Sequence, residues 1–128
     1  MKAFLLVALG GALGALSRWG VAGLVDRLLA AGGGGTARFP GGILAANVIG
    51  CFVIGLLYGL AETRAWLTEA ARWLTFVGFL GSFTTFSTFG WNTFDLFRHG
   101  HPGLALANIA ASLLLGLGAV WGGYVLGR

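Results

Sequence analysis

Gly78-Phe79-Leu80-Gly81-Ser82-Phe83-Thr84-Thr85-Phe86-Ser87-Thr88-Phe89-Gly90 is the stretch that decides how this chain folds. Its hydroxyl run, Thr84 to Thr88, lies near the middle of a long apolar segment, where hydroxyls have no ordinary reason to gather unless something polar passes or binds. Glycine tolerates unusual backbone angles, and Thr and Ser re-bond freed peptide groups, so the segment reads as a membrane helix that loosens at mid-depth. Freed backbone there implies a bound ion or water.

The rest of the chain agrees with a membrane setting. Across 128 residues, 57% are hydrophobic and 9% charged, and the mean hydropathy is +0.86, values that exclude a soluble globule. Lys2 followed by an apolar run and small residues near Ala15 resembles a secretory signal, but the run continues past Arg18 to Val25, so it is counted as a span. Apolar segments matching a bilayer core fall at roughly 3–25, 41–61, 70–97 and 103–126. The expected fold class is thus an all-α membrane protein, a single domain over 1–128 with four transmembrane helices and a break in the third. Loop one carries Gly32 to Gly35, Arg38 and Pro40; loop two Glu62, Arg64, Glu69 and Arg72; loop three Arg98 to Pro102.

Charge places weak demands on orientation. Four spans put Lys2, Arg64, Arg72 and Arg128 on one side and Arg27, Arg38 and Arg98 on the other, a four-to-three balance that gives the positive-inside rule almost nothing to act on. Such a chain can insert both ways and pair with an inverted copy, so an antiparallel homodimer is expected. The net charge of +4 is scattered at segment ends, which speaks for headgroup anchoring and against a nucleic-acid partner. Glycine pairs at four-residue spacing, Gly10/Gly14, Gly55/Gly59 and Gly118/Gly122, predict close helix contacts without choosing between contacts inside one subunit and between two.

Enzymatic constellations do not stand out. Cys51 is isolated, His99 and His101 share a turn, and no Ser-His-acid set or metal-ligand spacing occurs. The acids Asp26, Glu62, Glu69 and Asp95 fall at segment ends, which weakens the alternative of a small proton-coupled exporter of hydrophobic cations. A non-transporting assembly subunit is a second alternative. Arg18 interrupts the first span and either snorkels or draws anions to a vestibule. Asn47 is an amide among apolar neighbours, read as an anion donor or an interhelical bond; Asn108 and Ser112 share a helix face, and Ser87 and Thr88 add hydroxyls. Phe83, Phe86 and Phe89 recur at three-residue spacing on one side of a helix, either as an ordinary lipid-facing or core stripe or as rings that, presented edge-on beside such donors, could hold a small anion without a full charge.

These residues resemble the small fluoride channels of the Fluc (CrcB) family over essentially the full length. The likeness is carried by Gly10-Gly11-Ala12-Leu13-Gly14-Ala15-Leu16-Ser17-Arg18-Trp19, by Asn47-Val48-Ile49-Gly50, and by the Gly78 to Phe89 stretch. The resemblance implies a dual-topology homodimer with two antiparallel pores in the cell membrane, passively exporting fluoride from the cytoplasm. It assigns the fluoride path to Asn47, Phe86, Phe89, Ser87, Thr88, Ser112 and Asn108, with Arg18 near the vestibule. It also implies a structural, non-transported Na+ at the dimer centre, bound by backbone carbonyls of Gly81 and Thr84. Trp19 stands where the family usually has Tyr, Ser82 where a second Gly is frequent, Ile43 where a hydroxyl often begins the polar line, and Asn108 where Tyr is often found.

Overall fold

The computed structural model describes residues 1–32, 39–63 and 67–128. Gly33 to Gly35, Arg38 and Arg64, named above in the loops, lie outside the described residues. Every regular element among the described residues is helical: α1 (Lys2–Ala31), α2 (Gly41–Thr63), α3 (Glu69–Ala71), a π-helical stretch (Arg72–Leu80), α4 (Gly81–Phe83), α5 (Phe86–Arg98) and α6 (Pro102–Gly127). Three of them, α1, α2 and α6, are long and apolar enough to cross a membrane. The segment 70–97 is not one helix: α4 stops at Phe83, and α5 restarts at Phe86.

Local chemistry explains the boundaries. Helix α1 runs six residues beyond the expected end at 25, because Asp26 to Ala31 contain no breaker and the glycine run starts only at Gly32. The Asp26 carboxylate then caps the next helix, its Oδ1 accepting from Gly42 N at 2.9 Å. A carboxylate suits that position because it meets an orphan N–H and the positive end of the helix dipole. Gly42 must be glycine for the approach, since a Cβ there would run into the Ala22 carbonyl and the Asp26 carboxylate. Thr68 caps α3, its Oγ1 accepting from Ala71 N at 3.2 Å. The α5–α6 turn is a Schellman close: Gly100 takes φ +79°, Gly100 N donates to Phe97 O at 3.1 Å and His101 N to Leu96 O at 2.9 Å. Pro102 then opens α6, where its missing N–H costs nothing.

Glycine lines two backbone-to-backbone seams. In the first, α2 and α6 interlock: a Cβ on Gly55 would meet the Val120 carbonyl, on Gly59 the Tyr124 carbonyl, on Gly123 the Phe52 carbonyl and on Gly127 the Leu56 carbonyl. In the second, Gly10 and Gly14 of α1 approach the backbone of Leu74 and Phe79, and Gly78 returns the contact to Val7 and Gly10. Lipid tails are as apolar as leucine, so such seams hold by van der Waals contact and need small residues at the crossing. Two of the three glycine pairs read in the sequence are thereby used inside the subunit. Gly118 and Gly122 are not; a Cβ on either would meet nothing within 4 Å.

Few large side chains are enclosed. Leu80, Phe83 and Leu96 are buried, while Leu114 and Trp121 are 72% and 70% exposed, an apolar exterior that only lipid or another protein surface solvates well. The seams therefore carry the fold. Gly123→Val is expected to lower stability by about 1–3 kcal/mol, read as the unfolding midpoint in detergent followed by circular dichroism. Gly103→Ala, with nothing within 4 Å, should stay within about 0.5 kcal/mol.

Candidate functional site

The break in the third segment is built by two side chains. At Thr84 (φ −92°, ψ 154°) and Thr85 (φ −150°, ψ 121°) the chain turns extended between α4 and α5. Asn47, on α2, meets the extended residue as another strand would: its Oδ1 accepts from Thr85 N at 2.8 Å, and its Nδ2 donates to Thr85 O at 3.1 Å. Thr85 itself caps α5, its Oγ1 accepting from Thr88 N at 3.3 Å. Thr84 closes α4, with its N–H and its hydroxyl both donated to Leu80 O at 3.0 and 2.9 Å.

This bonding releases two carbonyls. In a continuous helix Thr85 N–H would serve Gly81 C=O, and Thr88 N–H would serve Thr84 C=O. Asn47 takes the first donor and the Thr85 hydroxyl takes the second. The oxygens of Gly81 and Thr84 are left without their helical partners, the kind of hard donor that a small cation accepts.

Beside the break lies a groove of about 420 Å³. Asn47, Gly50 and Cys51 line it from α2, Thr84 and Thr85 from the break, Phe86 and Phe89 from α5, and Ser112 from α6. Gly50 permits the approach of the break, because a Cβ there would run into the Thr84 methyl. The Phe86 and Phe89 rings stand 5.5 Å apart at 44°, and Phe86 is 83% exposed, so nothing among the described residues encloses it. Ser112 Oγ is buried with no hydrogen-bond partner among the described residues. A buried hydroxyl without a partner is an unmet hydrogen-bonding group beside the groove wall.

The sequence-derived residues separate into groups. Asn47, Phe86, Phe89 and Ser112 meet at the groove, with Gly81 and Thr84 on its break side. Ser87 and Thr88 do not line it; their hydroxyls cluster on Thr85 Oγ1, at 3.2 and 3.1 Å. Asn108 is turned elsewhere, 2% exposed, with Nδ2 donating to Thr93 Oγ1 at 2.8 Å between α6 and α5. Four residues advance a helix by roughly 40° beyond a full turn, enough to divide Ser112 from Asn108. Arg18 is half-buried on α1, away from the groove lining and without a hydrogen bond or ion pair among the described residues. Phe83 departs from the expected stripe: it is buried and stacks on Phe79 at 5.7 Å, because the extended pair at 84–85 resets the helical phase before Phe86.

Thr85 belongs to the hydroxyl run but not to the sequence-derived site residues, although it is the hub of the site. Its signal was local: a Thr three residues ahead of Thr88, at the point where a helix restarts, is an N-cap pattern.

The four acids are engaged at helix ends. Asp26 caps α2, Glu62 accepts from Tyr124 OH at 2.7 Å, Glu69 from Trp73 Nε1 at 3.4 Å, and Asp95 pairs with Arg98 at 3.1 Å. His99 turns its Nδ1 back to the Asp95 carbonyl at 2.9 Å.

The family model described as CrcB-like protein, Camphor Resistance (CrcB), matches residues 5–124. The chain belongs to the CrcB family. Similar curated relatives of this CrcB chain are named fluoride-specific ion channel FluC. One from Methylobacillus flagellatus is 43% identical, covering 98% of this chain and 94% of its own. Another from Acidobacterium capsulatum is 45% identical, with 98% and 95% covered. A third, from Maridesulfovibrio salexigens, is 38% identical, with 100% and 97% covered. CrcB is a membrane protein and not an enzyme.

Replacing Asn47 by Leu strands the N–H and C=O of Thr85, each loss costing about 1–3 kcal/mol. Asn47→Leu is expected to lower the unfolding midpoint and to speed deuterium exchange at the Thr85 amide; native exchange there would remove the clasp.

Proposed function

We propose that this chain is a fluoride-specific channel that exports fluoride passively from the cytoplasm across the cell membrane. The observation that carries the proposal is the groove itself. An amide, an unpartnered hydroxyl, the exposed Phe86 ring and the half-buried Phe89 ring converge beside a broken membrane helix, in a chain 43% and 45% identical to relatives named fluoride-specific ion channel.

The chemistry follows from hydration. Fluoride is small and strongly hydrated, so it leaves water only for close, strong donors. One proton of the Asn47 amide is spent on Thr85 O, and the other remains for an anion. Ser112 adds its hydroxyl, and Phe86 and Phe89 add the positive edges of their rings. Larger halides carry their charge more diffusely and fit a narrow set of donors badly. Neutral donors bind weakly enough for release, as conduction requires.

In this reading the third segment is the fourth crossing. Its two halves together hold enough helix for roughly 40 Å, more than the ~30 Å hydrocarbon core. Two inverted copies form the working unit. The near-even charge of the flanks supports dual insertion, and the 83% exposure of Phe86 supports a surface that a second copy completes. Sodium fits the break: the Gly81 and Thr84 carbonyls released by Asn47 and Thr85 would hold it, and when bound it supplies a fixed positive charge at mid-depth.

Purified protein in liposomes is expected to pass fluoride and retain chloride, recorded with ion-selective electrodes. Phe86→Ile and Phe89→Ile should each cut fluoride efflux by up to about tenfold, the scale of one lost aromatic contact, without changing oligomeric state on gel filtration. Saturable, proton-coupled cation flux, or impermeable vesicles, would overturn the reading.

A further inference from the structure

A second cavity, of about 400 Å³, adjoins Tyr58, Arg72, Trp73 and Phe76. Its relation to the groove is visible in the order of residues along the two walls. On α2 the groove takes Asn47, Cys51 and Ile54, and the next turn, Tyr58, belongs to the second cavity. On the third segment Arg72 and Trp73 belong to the second cavity, Leu80 and Thr84 to the groove, and Phe76 to both. The cavities are consecutive lengths of one cleft between α2 and the third segment. They meet at Phe76.

The backbone there favours this arrangement. Bonding from i to i+5 in Arg72–Leu80 widens the turn, so residues four or five apart recur on the cleft side, as 72, 76, 80 and 81 do. The Phe76 ring is held edge-on by Tyr58, with centroids 4.9 Å apart and planes at 63°. Arg72 gives the outer cavity an exposed positive group, and Glu69 on the same rim is engaged by Trp73 Nε1 at 3.4 Å.

We propose that Phe76 is the gate between an outer antechamber rimmed by Arg72 and the mid-depth groove of Asn47 and Ser112, with Tyr58 as its positioning residue. The gate serves the small anion of the channel reading, on which this inference rests. Arg72 offers an anion a positive contact at the mouth beside the Glu69 carboxylate, and rotation of the Phe76 ring sets how freely it passes inward.

Cys51, the only cysteine in the chain, lies on the groove side of Phe76 and reports access without any assumption about the ion. The full-length protein in liposomes is treated with an anionic, water-soluble methanethiosulfonate, and Cys51 labelling is timed by mass spectrometry. Fluoride efflux is measured in parallel. Phe76→Ala should speed labelling by about tenfold, the scale of one aromatic contact, Phe76→Trp should slow both labelling and efflux, and Tyr58→Ala should act like Phe76→Ala while Tyr58→Phe behaves as wild type. Wild-type labelling in both Phe76 variants, with native helicity by circular dichroism, overturns the gate even where fluoride flows. Phe76-dependent labelling in a protein that passes no fluoride would uphold the gate and overturn the choice of fluoride.

Discussion

Two hydrogen bonds between one side-chain amide and one peptide unit hold the centre of this molecule. A helix broken inside a bilayer exposes N–H and C=O groups that lipid cannot satisfy, each costing several kcal/mol. Asn47 meets that cost by offering Thr85 both a donor and an acceptor in the spacing of a neighbouring strand. Only an amide carries both groups with that spacing among the short side chains. Thr85 extends the arrangement by capping α5 with its hydroxyl. The helix can then restart in a new phase, which turns Phe86 and Phe89 to the groove while Phe83 remains buried with Phe79.

The clasp matters because of how the remaining helices pair. Glycine seams join α2 to α6 and α1 to the π-helical stretch, each by backbone approach that a single methyl would obstruct. Between these two tight pairs, α2 and the third segment touch only slightly. The cleft survives in the space left over, crossed at the break by Asn47 and farther along by the Tyr58–Phe76 contact. Rigid seams on either side fix the walls, so the few side chains between them can be placed closely without large residues filling the volume.

Much of this was legible in the sequence because the signals were local. Glycine and hydroxyl residues in an apolar run mark a loosened helix, and the extended pair falls inside the hydroxyl run at Thr84 and Thr85. Asn47 stands out as an amide among apolar neighbours, and of its two readings the interhelical bond is the one formed, to Thr85, with one amide proton left unused by it. An unbroken helical period does not hold across the break. Three-residue spacing groups Phe83 with Phe86 and Phe89 only by counting turns across a point where the turns stop. Asn108 was grouped with Ser112 by a face, whereas its partner Thr93 lies 15 residues away and no spacing rule connects them. The glycine pairs look alike in sequence, yet Gly55 and Gly59 face a carbonyl row while Gly118 and Gly122 meet nothing within 4 Å among the described residues. Which side of a helix finds a partner is a property of the assembled bundle.

The four acids lie at helix ends, each with a hydrogen-bond or ion-pair partner, so none adds a negative charge to the groove lining. Helix α5 begins there, and its first turn contributes the positive end of a backbone dipole. Partial charges of both signs meet at the groove: the Asn47 amide protons and the ring edges of Phe86 and Phe89 are positive, and the released Gly81 and Thr84 carbonyls on its break side are negative. A buried arginine in the same place would bind the ion more tightly and slow its departure. Partial charges replace hydration without trapping what they bind, which is the compromise that conduction demands of any proposed path.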